Sequence, residues 1–173
     1  MKKQLILVGG AMGVGKSAVC RELLRQLTPG VWLDGDWCWD MRPFTVTDET
    51  KAVVVDNICA MLGNFLRCGA WENVVFCWVM QDKAIAENIL RRLDLTDVNA
   101  RLFTLMVSEK ALRARLEADV QSGKRERDVI ERSVARLPLY ERMDTEKIDT
   151  DALTPDQIAE IIANRIRKGE KNT

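Results

Sequence analysis

The 173-residue chain carries 26 lysines and arginines against 26 aspartates and glutamates and has no histidine, so its formal net charge is zero. That length holds one domain with a core of its own rather than two, and the balanced charge singles out neither a nucleic acid nor an anionic membrane as partner. Cys20, Cys38, Cys59, Cys68 and Cys77 show no CxxC pairing, which argues against a zinc site and for reduced thiols in a cytoplasmic setting, Cys38 in its loop being the exception to burial.

Gln4 to Val8 reads as the first strand, and the basic pair before it introduces an apolar stretch too short for a signal peptide. GAMGVGKS, Gly10 to Ser17, then fits the phosphate-binding pattern GxxxxGK[ST] at every fixed position. Glycines at Gly10, Gly13 and Gly15 let the backbone turn tightly and aim amide N–H groups at phosphate oxygens. A helix from about Gly15 to Leu27 adds the positive end of its dipole. Lys16 is expected to reach the β- and γ-phosphates and Ser17 to meet Mg²⁺, with Val14 and Ala18 in the same nucleotide-binding set.

The second strand, Val31 to Leu33, with Trp32 read as core, runs into LDGDWCWDMR. Asp34 and Asp36 lie just past its end, which in a doubly wound sheet is beside the phosphate loop. Asp34 is expected to hold Mg²⁺ and Asp36 to accept a hydroxyl proton or anchor the acceptor, against the plain alternative of a solvated Asp-Gly turn kept open by Gly35. Trp37, Trp39 and Trp78 fall near strand ends, with Arg42 and Gln81 close in sequence. Trp39, Arg42, Trp78 and Gln81 would make an acceptor pocket for a flat ring, a sugar or an antibiotic-like molecule, Arg42 holding an anionic substituent. The competing reading packs Trp37 and Trp39 against the next helix and puts Trp78 in the core.

That helix is predicted over Asp48 to Arg67, with Thr45 and Thr47 as caps and Gly69 as the stop signal. Val74 to Val79 forms a third strand, Asp82 caps a helix to about Leu93, and Leu102 to Val107 forms a fourth strand. Ser108 starts a helix that fades at Gln121-Ser122-Gly123, and the charged stretch Lys124 to Asp128 leads into one helix ending near Tyr140. A short strand, Lys147 to Asp149, precedes a last helix capped by Thr154-Pro155-Asp156-Gln157, and Arg165 to Thr173 is expected to fray. The alternation is an α/β signature, and runs such as VVFCWV suit a parallel sheet covered on both faces.

With the phosphate loop, LDGD, ALRARLEADV, RLPLY and IDTDALTPDQIAEII in place, the chain resembles the nucleoside monophosphate kinase-like group of small P-loop kinases, which includes adenylate, shikimate, gluconate and adenylylsulfate kinases. The resemblance implies one three-layer domain over residues 1–173. Its five-stranded parallel sheet would run in the order 2-3-1-4-5, with a short lid near residues 121–128. It further implies ATP as substrate, Mg²⁺ as cofactor and a small-molecule acceptor: a nucleoside or nucleotide, a sugar acid or an antibiotic-like hydroxyl compound. Lys16, Asp36, Arg125 and Arg136 carry over as the catalytic set, with Arg127 competing with Arg125 as lid arginine. Arg115 carries over as the residue stacked on adenine and Thr150 as part of the base-contacting loop. Asp119 stands where many nucleotide kinases have a second helix arginine. CWVMQD has no clear Walker-B aspartate, so Mg²⁺ would lean on Ser17 and Asp34, leaving Asp82 as a helix cap. No nucleic-acid or membrane partner is expected, and monomer and homodimer both stay open. A nucleotide-switched binding module and a polynucleotide end kinase are the rival readings; the first lacks the guanine-reading NKxD pattern and the second a basic footprint.

Overall fold

The computed structural model describes residues 2–170. Five strands, β1 (Lys3–Gly10), β2 (Gly30–Asp34), β3 (Asn73–Cys77), β4 (Val98–Met106) and β5 (Glu146–Asp149), alternate with helices α1 (Lys16–Gln26), α2 (Asp48–Arg67), α3 (Lys83–Arg91), α4 (Glu109–Gln121), α5 (Val129–Val134), α6 (Leu137–Glu141) and α7 (Pro155–Glu170). The strands form one all-parallel sheet in the order β2-β3-β1-β4-β5, as the resemblance implied. Among the described residues no helix is long and apolar enough to cross a membrane.

The central strand β1 shows why the helices lie on both faces. Leu5, Ile6, Leu7 and Val8 are all fully buried, and because successive strand side chains point to opposite faces, they feed two separate cores. Ile6 and Val8 pack with Val19, Leu23, Leu112, Leu116, Ile158 and Ile162 from α1, α4 and α7. Leu5 and Leu7 pack with Val54, Ile58, Leu62 and Ile89 from α2 and α3. The helix starts follow side-chain chemistry. Thr47 and Thr50 form a reciprocal capping box on α2, Asp82 accepts from Ala84 N at 2.9 Å, and Ser108 accepts from Ala111 N at 3.2 Å. Gln157 accepts from Thr154 N at 2.9 Å, completing the box before α7.

The structure departs from the sequence reading at several elements. The acidic loop after β2 is a 3₁₀ turn, Gly35–Trp39, because the Asp34 carboxylate caps it by accepting from Asp36 N. Thr45 does not cap α2; its carbonyl accepts from the Thr50 hydroxyl at 2.9 Å. The helix expected to reach Tyr140 is two short helices, since Pro138 has no N–H to donate to Val134 O and its ring would crowd that carbonyl. The expected fraying is absent over 165–170: Ile166 is buried, Arg165 lies 3.6 Å from Glu146, and Arg167 donates to Gln26 O at 3.0 Å. The remainder of that tail, 171–173, lies outside the described residues. Trp32, on the edge strand β2, is half-buried and packs against the core from its margin, its ring 5.0 Å from Trp37 and its N–H donating to Cys77 Sγ.

Candidate active site

The phosphate loop joins β1 to α1. Gly13 and Gly15 adopt φ of +86° and +104°, in the left-handed region where a side chain is strained, and a Cβ on Gly13 would sit 2.5 Å from Leu116. The helix α4 is thereby seated directly on the loop. Gly15 caps α1 without a side chain and accepts from Val19 N at 3.0 Å, so Ser17 and Ala18 fall in the first turn, while Val14 is anchored to Ala11 O. Lys16 Nζ folds back to donate to Gly10 O at 2.9 Å and Ala11 O at 3.0 Å. Burial lowers its pKa, while the Cys77 thiol and the Asp36 and Asp34 carboxylates act in the opposite sense.

Asp34 is tied at both oxygens. The Ser17 hydroxyl donates to Oδ2 at 2.6 Å and Asp36 N donates to Oδ1 at 3.1 Å. A hydroxyl and a buried carboxylate oxygen thus converge beside the loop, a hard oxygen pair that fits Mg²⁺. Among the described residues no group of three or more His, Cys, Asp or Glu side chains could hold a metal.

Asp36, one residue beyond Gly35, is exposed at the surface of the turn, its carboxylate partly covered where it lines the neighbouring cleft. Burial and then the Asp34 charge raise its pKa, opposed by Lys16, the nearby Trp78 indole and Arg125. Groups from the phosphate loop, from the end of β3 and from the segment after α4 therefore all act on this one carboxylate. Gly35 is needed for a different reason than the sequence suggested: its φ is not left-handed, but a Cβ there would stand 2.6 Å from Trp78 Cγ. The missing side chain lets the indole lie against the turn.

Arg125 and Arg127, the two candidates for a lid arginine, lie in different surroundings. Arg125 is half-buried, donates to Asp119 at 3.2 Å and acts on Asp36. Arg127 instead lines a hollow of about 150 Å³ with Glu117, Val120 and Ile130. The unusual Asp119 is thus the anchor of Arg125. Arg115 spans two loops, donating to Val14 O at 3.1 Å, to Thr150 Oγ1 at 3.1 Å and to Thr150 O at 2.8 Å. Thr150, fully buried, in turn donates to Met106 O. Both residues sit together at the mouth of the phosphate loop, with the guanidinium edge bonded to protein.

A cleft of about 960 Å³ opens beside Asp34 and Asp36, and of the expected acceptor residues it brings together Trp39, Trp78 and Gln81, with Arg136 and Trp37. Gln81 Oε1 is buried there without a hydrogen-bond partner, an acceptor left over for a donor. Arg42 does not line the cleft. It stands with Pro43 in an exposed bend, while Phe44 reaches the cleft, its ring 5.9 Å from Trp39. Arg132, Lys51, Phe44 and Val46 also line the cleft and were not singled out from sequence. Arg132 was findable, four residues before Arg136; Phe44 and Val46 sit in a loop with no periodicity to mark them.

The sequence profile described as an AAA domain matches residues 6–137. The chain belongs to that family. No curated protein matches the sequence at a significant level. Among solved structures, a gluconokinase from Sinorhizobium meliloti 1021 superposes with a TM-score of 0.69 at 16% identity, over 97% of this chain and 95% of that one. The tunicamycin resistance protein of Deinococcus radiodurans gives 0.67 at 21% identity over 95% and 96%, and the shikimate kinase of Acinetobacter baumannii in complex with shikimate gives 0.62 at 17% over 98% and 95%. At such identities the likeness is one of fold. The chain shares the architecture of the small P-loop kinases.

Proposed function

We propose that the protein transfers the γ-phosphoryl group of ATP to a hydroxyl of a small molecule held in the cleft beside Asp36. The observation that carries this is the convergence of Lys16, the Ser17–Asp34 pair and Asp36 where the phosphate loop meets the cleft. Loop amides and Lys16 bind the phosphate chain, Lys16 leaving its loop carbonyls for the phosphate oxygens. Ser17 and Asp34 would hold Mg²⁺, which when bound neutralises phosphate charge. Asp36 takes the proton from the acceptor hydroxyl as that oxygen bonds to the γ-phosphorus and the bond to the β-phosphate oxygen breaks, leaving ADP. Arg125 and Arg136 neutralise the charge spreading over the transferring group, and the Arg115–Thr150 pair borders the base. The names of the similar structures, gluconokinase and shikimate kinase, support a hydroxyl acceptor, and five unpaired thiols support a reducing cytoplasm.

Lys16→Met tests the proposal. Losing a preorganised cation at developing charge typically costs about 3 kcal/mol, roughly a hundredfold in rate, so acceptor-dependent ADP release should fall by at least that factor in a coupled assay. A variant with near wild-type turnover would reject the mechanism.

A further inference from the structure

The acceptor cleft is larger and more apolar than a compact, hydroxyl-rich acceptor needs. Its volume, about 960 Å³, stands at the upper end of the range of roughly 300–1,000 Å³ for small-molecule sites. Its walls are Trp37, Trp39, Phe44, Val46, Trp78 and Ile85. Trp37, Phe44 and Val46 are 55%, 68% and 54% exposed, among the most exposed large apolar side chains of the described residues. Apolar side chains left open in a concave site mark a surface that a ligand covers. Against the apolar part of these walls the hydroxyls of a sugar acid would lack partners, and each buried unpaired hydroxyl weakens binding. Apart from the indole N–H groups, the uncharged polar provision is Gln81 with its orphaned oxygen, beside the Asp34, Asp36 and Asp40 carboxylates. The cations at the cleft are Arg132, Arg136 and Lys51; Arg132 is already paired with Asp128 at 3.1 Å and Lys51 with Asp48 at 3.1 Å.

From this we infer that the acceptor is a bulky alcohol with an aromatic or otherwise apolar body, one hydroxyl directed to Asp36 and a hydrogen-bond donor for Gln81, and not a compact polyol acid. The inference rests on the phosphotransfer reading for the role of Asp36, while the shape and chemistry of the walls stand apart from it. The ring pair Trp39–Phe44 grips the body and sets specificity, and the concave floor at Asp36 distinguishes this surface from a flat protein-docking patch.

Binding separates the two ideas. 2-(2-Naphthyl)ethanol is titrated into the full chain and followed by quenching of tryptophan fluorescence and by ligand-observed NMR, with gluconate and shikimate titrated in parallel. Saturable binding of the naphthyl alcohol is expected, weakened about three- to tenfold by Trp39→Ala and by Phe44→Ala, with no displacement by gluconate or shikimate at equal concentration. Phe44 is exposed, so its variant folds even if Trp39→Ala does not. Saturation by gluconate or shikimate, absence of naphthyl-alcohol binding, self-association through this face in place of ligand uptake, or affinity indifferent to Phe44→Ala would each overturn the inference. Magnesium-ATP uptake by calorimetry is read separately; its loss would remove the phosphotransferase reading while leaving the cleft result to stand or fall alone.

Discussion

At Asp36, burial and the neighbouring Asp34 carboxylate raise the pKa, while Lys16, Trp78 and Arg125 oppose them. The acid form cannot accept a hydroxyl proton, so the acid limb of kcat/KM should lie above the ordinary aspartate value of 3.8 and disappear in Asp36→Asn. That variant should lose transfer by about 10²–10⁴-fold while keeping ATP affinity, as checked by pH–rate profiles and calorimetry. Stability should move the other way. A carboxylate whose folded pKa is raised binds more protons folded than unfolded between the two values, so stability declines as pH rises through that window and stays lower above it. Asp36→Asn should therefore melt higher than the native chain at neutral pH, the difference closing below the unfolded pKa; a lower melting point at neutral pH would contradict the shift. The acidic pair and the phosphate loop were legible in sequence because their spacing is fixed by the chemistry of phosphate binding. The Arg42 assignment failed because proximity in sequence says nothing about which way a bent loop aims its side chains; Phe44 lines the cleft and Arg42 does not.

The element that sets Asp36 in place is the 3₁₀ turn after β2, held from within by Asp34 and from outside by the Trp78 ring. Gly35→Ala brings a methyl to 2.6 Å from Trp78 Cγ, so either the indole or the turn must shift. Overpacking of this kind typically costs about 1–3 kcal/mol, and displacing a reacting group by about 1 Å can cost a hundredfold in rate. Urea unfolding and steady-state kinetics on Gly35→Ala should show both losses; unchanged kcat would mean that the turn does not position the base. Helix starts were readable because caps are local, as at Thr47, Asp82, Ser108 and Thr154. The break at Pro138 was equally available from the missing N–H, but the apolar pattern running to Tyr140 masked it. The 3₁₀ turn was not readable, because its cap is the same Asp34 whose spacing first suggested a plain loop.

Across the whole molecule, the sheet order followed from the resemblance, whereas the role of the last helix came only with coordinates. The helix α7 buries Ile158, Ile162 and Ile166 in the core it shares with α1 and α4, and Arg101 fastens β4 to β5 beneath it through two bonds to Glu146 at 2.8 and 2.7 Å. Ile162→Ala should cost about 2–5 kcal/mol, read as a lower urea midpoint at unchanged slope, with little effect on ATP affinity at temperatures where the variant is folded. Frayed sequence ends are a general tendency; here long-range packing overrides it, which no local pattern reports. The two cores on opposite faces of the sheet have a further bearing. Trp39, Trp78 and Ile85 pack on the one built from α2 and α3, while Val14, Leu112 and Leu116, which cradle the phosphate loop, pack on the other. The aromatic wall of the cleft and the packing beneath the phosphate loop thus rest on opposite faces of the sheet and meet only at its edge, around Met12, Asp34 and Asp36. On the phosphotransfer proposed above, that separation lets the wall facing the acceptor be reshaped while the loop facing the donor keeps its packing.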